Sequence, residues 1–195
     1  MSGKQENTEN RLTKESIFTA LMMLMEEKDY EDITITELTK RAGVSRMAYY
    51  RNYSSKDDII VQYLDDFVKE YYQNVFQNRE LDQFQQGRIF FSYFRERSRL
   101  VRNLIRADRT WLILNTFDKY LGSLFSSIVN TGGLNPGTSL FKYKVEFYSA
   151  GLYKVLIAWV EGGMVESDEE IAVIALRLTG GQVPDREQLR GEEEA

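Results

Sequence analysis

Proline is nearly absent from this chain. The only two among its 195 residues are Pro136 and Pro184, both in the last third of the sequence. A proline inside an α-helix removes a hydrogen bond and clashes with the preceding turn, so residues 1–135 can form long uninterrupted helices. Apolar residues recur at spacings of three and four, and no segment alternates in the way a strand does. The chain is therefore predicted to be all-α.

Capping residues mark where the predicted helices begin and end. Thr13 precedes the first helix, and the sequences TITE (34–37) and ESDEE (166–170) contain the Ser/Thr-x-x-Glu pattern of a capping box. Gly43 is placed to adopt the left-handed conformation that ends a helix. The predicted helices run from Thr13 to about Asp29 and then over 35–42, 46–53, 54–71, 84–96, 99–106, 111–130, 140–160 and 168–178.

Two residue types that carry much of enzyme chemistry, cysteine and histidine, do not occur. The chain therefore lacks a thiolate nucleophile, the commonest general base at neutral pH and the commonest metal ligand. No phosphate-binding loop or metal-ligand spacing is found, so we expect no enzyme, no cofactor and no metal. The N-terminus lacks a signal peptide's apolar core, and no apolar run approaches the roughly 20 residues of a spanning helix. We therefore expect a cytoplasmic protein with no membrane partner.

One segment departs from the acidic composition of the chain, which has 30 Asp and Glu against 25 Lys and Arg. The sequence KRAGVSRMAYYRNYSSK, residues 40–56, contains no carboxylate. Two short helices joined by a glycine turn, the second one cationic, are typical of a helix-turn-helix, whose second helix lies in the DNA major groove. Amides near Thr34 and Ser45 would attract phosphate, and Arg46 could bond to guanine. A chance excess of cations on a solvated face is the alternative. The cations are Lys40, Arg41, Arg46, Arg51 and Lys56.

The sequence ITITELTKRAGVSRMAYYRNYSSKDDII, residues 33–60, resembles the DNA-binding segment of the TetR family of bacterial transcriptional regulators. The AGVS turn at 42–45, Tyr50 and the Ser-Lys pair at 55–56 match the family's pattern and spacing. The resemblance implies an N-terminal three-helix helix-turn-helix DNA-binding domain and a C-terminal helical ligand-binding and dimerisation domain. It divides the chain into a flexible arm (1–12), a DNA-binding domain (13–56), an effector-binding and dimerisation domain (57–180) and a polar tail (181–195).

The same resemblance implies roles for single residues. Thr34, with Thr36 beside it, would bind phosphate at the start of the motif's first helix. Residues 46–48 would face the bases, while Tyr50 and Lys56 would contact phosphate and Tyr49 would pack inside. The chain departs from the family's pattern at Thr39, Asn52 and Tyr53, where Ala, His and Phe are common. The predicted DNA-binding residues are Thr34, Thr36, Ser45, Arg46, Met47, Ala48, Tyr50, Asn52 and Lys56.

The predicted helix over 140–160 carries an apolar stripe whose members are four and three residues apart, as in the seam of a coiled coil. A helix buried in the chain's own core has the same spacing, so that alternative stays open. In the TetR family the last two helices form a four-helix bundle across a homodimer, which favours the interface. The predicted interface residues are Phe141, Val145, Tyr148, Leu152, Val155, Trp159, Ile171, Ile174 and Leu178.

Aromatic residues are frequent between the cationic segment and this stripe. The family has an effector pocket among these helices, and an aromatic lining would suit an apolar or aromatic small molecule. The alternative for each ring is ordinary core packing. The predicted pocket residues are Phe67, Tyr71, Phe90, Phe94, Trp111, Phe117 and Tyr120.

These observations predict a transcriptional regulator, most simply a ligand-responsive repressor that binds a palindromic operator on double-stranded DNA as a homodimer. The alternative is a TetR-like co-regulator that acts through protein-protein contact rather than operator binding. Retention of Arg46, Tyr50 and Lys56 favours DNA binding. Both repression and activation are compatible with the sequence.

Overall fold

The computed structural model describes residues 2–76, 78, 80–128 and 137–180. These residues form nine α-helices and no strand, which confirms the all-α prediction. Within these ranges no helix combines the length and apolarity needed to cross a bilayer. The predicted polar tail at 181–195 and most of the predicted loop after residue 130 lie outside the described residues. The helices are α1 (Ser2–Glu27), α2 (Ile35–Ala42), α3 (Arg46–Asn52), α4 (Lys56–Tyr71), α5 (Gln83–Glu96), α6 (Ser98–Arg106), α7 (Trp111–Ile128), α8 (Ser139–Glu161) and α9 (Asp168–Thr179).

Local capping fixes the limits of α2 and α3, as the sequence predicts. The Thr34 hydroxyl accepts a hydrogen bond from the Glu37 amide at 3.2 Å, and the Ser45 hydroxyl accepts one from the Ala48 amide at 3.0 Å. Gly43 ends α2 with a φ of 68°. The capping box predicted at 34–37 is only half formed, because the Glu37 carboxylate pairs with Lys28 at 2.8 Å.

Helix α1 begins at Ser2, so residues 2–12 of the predicted flexible arm are helical. The physical reason is that residues 2–12 contain no proline and that six of these eleven residues are good helix formers, so nothing ends the helix before Thr13. Arg11 also pairs with Glu15 at 2.9 Å across the predicted boundary, an i,i+4 pair that supports a continuous helix.

Contacts divide the chain into two compact units. The first comprises Met1–Phe67 and Arg99–Leu112, and the second comprises Val68–Ser98 and Ile113–Ala195. This division differs from the predicted boundary after residue 56, because most of α4 and α6 packs with the helix-turn-helix. The buried core of the first unit includes Ile17, Leu21, Leu24, Leu38, Tyr49, Ile59, Ile60, Val101 and Leu104.

Polar contacts fasten α6 to α1 inside the first unit. The buried Asn103 amide donates to the Met22 carbonyl at 3.0 Å. The Arg99 guanidinium binds both carboxylate oxygens of Glu26, at 2.6 and 2.7 Å. Residues of α6, which are distant in sequence from the helix-turn-helix, therefore belong to the same packed body.

In the second unit, Arg95 on α5 holds the turn between α8 and α9. Its guanidinium pairs with Asp168 at 2.7 Å, donates to the Glu166 carbonyl at 2.7 Å and lies 4.8 Å from the Trp159 ring centroid. Trp159 also meets Phe91 edge to face, with centroids 5.4 Å apart. These contacts fix the last two helices against α5.

Candidate nucleic-acid interface

The exposed face of α3, which we call the reading face, consists of Arg46, Met47, Tyr50 and Arg51. With 3.6 residues per turn, these four positions fall within an arc of about 140°, which is less than half of the helix circumference. Met47 is 76% exposed and Tyr50 57% exposed, although large hydrophobic side chains usually pack inside. The reading face therefore presents two cations, a thioether and a phenol to solvent without any carboxylate.

The inner side of α3 attaches the helix to the rest of the first unit. Tyr49 is fully buried, as the sequence predicts, and its ring lies 5.8 Å from that of Tyr53. The Asn52 amide donates to the Ala48 carbonyl at 2.9 Å, and the Asn52 carbonyl accepts from Gln62 on α4 at 2.9 Å. Ala48 and Asn52, both predicted to bind DNA, are half-buried on this inner side.

Burial distinguishes Tyr49 and Tyr53 from the exposed Tyr50. Burial raises the pKa of Tyr49 and that of Tyr53 to about 12. The Tyr49 hydroxyl has no hydrogen-bond partner among the described residues. Tyr49 therefore serves packing, while the neighbouring Tyr50 keeps an exposed hydroxyl.

The five cations of the 40–56 segment differ in what they contact. Arg41 binds both carboxylate oxygens of Glu27 at 2.7 Å. Lys40, Arg46 and Arg51 are exposed, and their side chains form no hydrogen bond or ion pair with any described residue. These three are the cations of the segment that remain available to an anion.

Two of the three available cations, Lys40 and Arg51, were not among the predicted DNA-binding residues. The family's pattern does not specify them, so the resemblance gave them no role. The sequence does contain a signal for Arg51, because it lies one turn after Met47 and five residues after Arg46. A count of helical spacing from the base-facing Met47, four residues earlier, would have placed Arg51 on the reading face.

Lys56 is bound within the first unit. Its ammonium donates to the backbone carbonyl of Tyr30, to that of Ile33 at 2.9 Å and to that of Glu31 at 3.4 Å. It also lies 4.5 Å from the centroid of the Tyr30 ring. Burial lowers the pKa of Lys56 below its ordinary value. Because an ammonium has three donors, these carbonyls occupy it, and its phosphate contact stays a prediction.

The N-terminus of α2 carries the two predicted threonines. Thr34 and Thr36 are both exposed, and Thr34 caps the helix. The neighbouring Thr39 is buried, and its hydroxyl donates to the Ile35 carbonyl at 2.9 Å. Threonine thus replaces the family's alanine without leaving a buried hydroxyl unpaired.

The predicted interface residues do not share one exposed face. Phe141, Trp159 and Ile171 are buried within the second unit, and Ile174 and Leu178 are exposed. The other four, Val145, Tyr148, Leu152 and Val155, are half-buried. The reason is that the stripe predicted on α8 packs partly inside its own chain, as the core alternative allowed.

A neighbouring stripe on α8 has larger exposed apolar side chains: Leu140, Tyr143 and Phe147, the last 72% exposed. Tyr148 donates its hydroxyl to the Thr179 carbonyl at 3.1 Å. On α9, Leu178 is likewise exposed, at 64%. The residues of this second stripe are also three and four positions apart in the sequence. Periodicity alone does not determine which of the two stripes faces the core.

Four predicted pocket residues, Tyr71, Phe90, Phe94 and Phe117, form a cluster in the second unit. Ring centroids of contacting pairs within it lie 4.9–6.1 Å apart. The Tyr71 hydroxyl donates to the Gln86 carbonyl at 2.9 Å. Tyr120 is half-buried in the same unit, whereas Phe67 and Trp111 belong to the first unit. The rings of the cluster pack directly against one another, and the pocket stays a prediction.

Among the described residues, no three acidic side chains are grouped in the way that would hold a metal ion.

Similarity to known proteins agrees with this geometry. A family model described as "Bacterial regulatory proteins, tetR family" matches residues 17–63. A second, described as "Transcriptional regulator C-terminal region", matches residues 84–181, which is half of the chain. The chain has no significant match among curated proteins.

Solved structures of regulators share the fold over nearly their whole length. A TetR transcriptional regulator from Streptococcus agalactiae 2603V is 17% identical, with 91% of this chain and 98% of that chain covered and a TM-score of 0.65. The fatty acid degradation regulator FadR from Bacillus halodurans is 14% identical, with coverages of 89% and 97% and a TM-score of 0.62. The dihydroxyacetone kinase operon activator DhaS is 12% identical, with coverages of 86% and 93% and a TM-score of 0.57.

The helix-turn-helix geometry, the all-helical remainder and the two matches lead to one assignment. This chain belongs to the TetR family of bacterial transcriptional regulators.

Proposed function

We propose that this protein is a ligand-responsive repressor that binds a palindromic operator as a homodimer, with the reading face in the major groove. The observation that carries the proposal is that Arg46 and Arg51 are exposed there without any partner among the described residues. An arginine in the first turn of a recognition helix can reach base edges. Arg51, in the last turn, and Lys40, on α2, would neutralise phosphates.

A homodimer is supported by the exposed apolar side chains on α8 and α9. Leu140, Tyr143, Phe147 and Leu178 are each at least 60% exposed. Large apolar side chains that are exposed together mark interaction surfaces more often than ordinary surface. A second copy of the chain would cover them, and two reading faces would then meet the two half-sites of one operator.

Response to an apolar or aromatic ligand is supported by the ring cluster of Tyr71, Phe90, Phe94 and Phe117. Because these rings fill the space between them, a ligand would have to displace at least one ring. Such a ligand would favour whichever state leaves the cluster open, by its difference in affinity for the two states. Ligand binding and DNA binding would then be coupled.

Repression is proposed because occupancy of promoter DNA is enough to cause it. The operon activator among the similar structures makes activation the natural alternative outcome. A co-regulator that does not bind DNA is less favoured, since it would have no need of Lys40, Arg46 and Arg51, whose side chains lack a partner among the described residues.

Selection of bound duplexes from a random pool tests the proposal. We expect a consensus with two-fold symmetry, and Arg46→Ala should lose about 1–3 kcal/mol of discrimination at one base pair in each half-site. Arg51→Ala should weaken all sequences alike and make the slope of log K against log salt less steep by roughly two for a dimer.

Arg102→Ala is the matched control, since Arg102 is exposed on α6 in the same unit. It should leave both the consensus and the salt slope nearly unchanged. A wild-type protein that retains no duplex even at low salt would contradict DNA binding, and an asymmetric consensus would contradict the palindromic operator.

A further inference from the structure

A network of charged and aromatic side chains surrounds Tyr30 in the first unit. The Tyr30 hydroxyl donates to the Asp57 carboxylate at 2.7 Å. The Arg109 guanidinium pairs with Glu31, and its Nε lies 3.7 Å from the same Asp57 oxygen. Arg109 and Lys56 both contact the Tyr30 ring, at 5.4 and 4.5 Å from its centroid. Two cations and two carboxylates therefore converge on one buried ring.

Arg109 reaches this network from the turn that follows α6. Asp108 has a φ of 54°, the left-handed conformation that non-glycine residues adopt uncommonly. The Arg109 amide then donates to the Leu104 carbonyl at 2.8 Å, which closes the turn. The turn thus directs a guanidinium toward Tyr30 from a segment far beyond the helix-turn-helix in the sequence.

The network holds the segment that leads into α2. Tyr30–Asp32 form a 3₁₀ turn, and the Ile33 amide donates to the Tyr30 carbonyl at 3.3 Å. Lys56 binds the Tyr30 and Ile33 carbonyls, and Ile33 directly precedes Thr34, the N-cap of α2. The position of the first turn of α2 therefore depends on side chains from the start of α4 and from the turn after α6.

The two ion pairs of Arg109 differ in how much they contribute to the stability of the network. The Glu31 side chain is 72% exposed, so its pair with Arg109 is well solvated and contributes little. The Asp57 side chain is 35% exposed and also accepts the Tyr30 hydroxyl, so the loss of Arg109 would leave a half-buried carboxylate without its cation. Asp57 is thus the partner through which Arg109 acts.

We propose that Arg109, which lies outside the helix-turn-helix, is a positioning residue for DNA binding. Through Asp57 and Tyr30 it fixes the 3₁₀ turn and the first turn of α2, and so presents Thr34 and the adjoining α3 to one half-site. This inference rests on the proposed operator binding. Loss of Arg109 would lower the fraction of molecules with the binding conformation, and affinity falls in proportion to that fraction.

Arg109→Gln and Arg102→Gln make a matched pair for the test. Both remove one arginine charge from the first unit, but only Arg109 takes part in the network around Tyr30. The probes are a duplex that the wild type selects from a random pool and a duplex of random sequence. Binding is measured with the full-length protein well below its melting temperature, and the oligomeric mass is recorded for each variant.

Arg109→Gln should weaken binding to both duplexes roughly tenfold, because a smaller competent fraction affects every sequence. Its salt slope should stay that of the wild type, since no phosphate contact is removed. Arg109→Lys should restore only part of the affinity, because an ammonium lacks the planar fork. Asp57→Asn combined with Arg109→Gln should cost less than the sum of the two single changes.

Amide hydrogen exchange gives a readout that does not depend on DNA. In Arg109→Gln the amides of Ile33 and Glu37 should exchange faster, while that of Tyr49 on α3 should not. Equal binding by the two glutamine variants, or unchanged exchange at Ile33 and Glu37, would overturn the proposal. If the wild type bound no duplex, the proposed function would fail, and the exchange rates would still decide whether Arg109 fixes the turn.

Discussion

Replacing Lys56 with methionine separates the two roles that this lysine could have. Methionine keeps the unbranched stem but removes the ammonium, so the carbonyls of Tyr30, Glu31 and Ile33 lose their donor. If Lys56 holds the fold, the change lowers stability. If the main role of Lys56 is to bind a DNA phosphate, the change lowers the salt dependence of DNA binding.

The contacts of the Lys56 ammonium determine how much stability the change to methionine should cost. It has two close carbonyl partners and a third at 3.4 Å. A hydrogen bond to a charged group contributes about 1.5–3 kcal/mol net, and burial of the ammonium offsets part of the sum, so we expect a loss of about 2 kcal/mol. For a chain of this size that corresponds to a fall in melting temperature of about 4–8 °C.

Chemical denaturation followed by circular dichroism measures the change, with Lys40→Met as the matched control. Lys40 is exposed in the same segment and its side chain has no partner in the described part of the chain, so its replacement should alter stability by less than about 0.5 kcal/mol. In DNA binding, Lys40→Met should be the variant with the larger effect. It should lower the slope of log K against log salt, and Lys56→Met should leave that slope unchanged. Equal stability of the two variants, together with a lower slope for Lys56→Met, would refute the structural role of Lys56.

Two further predictions concern association and stability. Phe147→Asp should convert a dimer to monomers in sedimentation experiments. Val165→Asp, at an exposed residue outside the helices, should not. Equal masses of the two variants would contradict a dimer interface on α8. Because the folded-state pKa values of Tyr49 and Tyr53 are raised to about 12, the stability they contribute is complete below about pH 10 and should be lost as the pH rises toward 12. Tyr49→Phe removes a buried unpaired hydroxyl, so it should raise stability by about 1 kcal/mol and lessen that alkaline loss; a lower melting temperature for Tyr49→Phe would count against this.

Local signals in the sequence were sufficient for the helix-turn-helix itself. Thr34, Gly43 and Ser45 act on amides and carbonyls within a few residues of themselves, so their effect can be read without tertiary information. The start of α1 was missed for the complementary reason. A cap at Thr13 is only one possible start, and a helix continues through it when the preceding residues are also helix formers.

Contacts between distant segments could not be read in the same way. The pattern of the family identifies Lys56, but the carbonyls that it binds belong to residues 23 to 26 positions away. Arg109 carries no signal at all, because its role depends on where the turn after α6 lies in space. On α8, periodicity defines two apolar stripes, and only packing against the rest of the second unit decides that Trp159 is buried and Phe147 exposed.

Docking of the reading face in the major groove is tested most directly by dimethyl sulfate footprinting on a duplex selected from the random pool, because this reagent methylates guanine N7 in the major groove. If the reading face docks there twice, guanines should be protected in two half-sites about one helical turn apart, or a multiple of it. Arg46→Ala should remove protection at one symmetric pair of guanines and leave the others. Binding without any major-groove protection, or a footprint that Arg46→Ala does not alter, would contradict docking of α3 in the major groove.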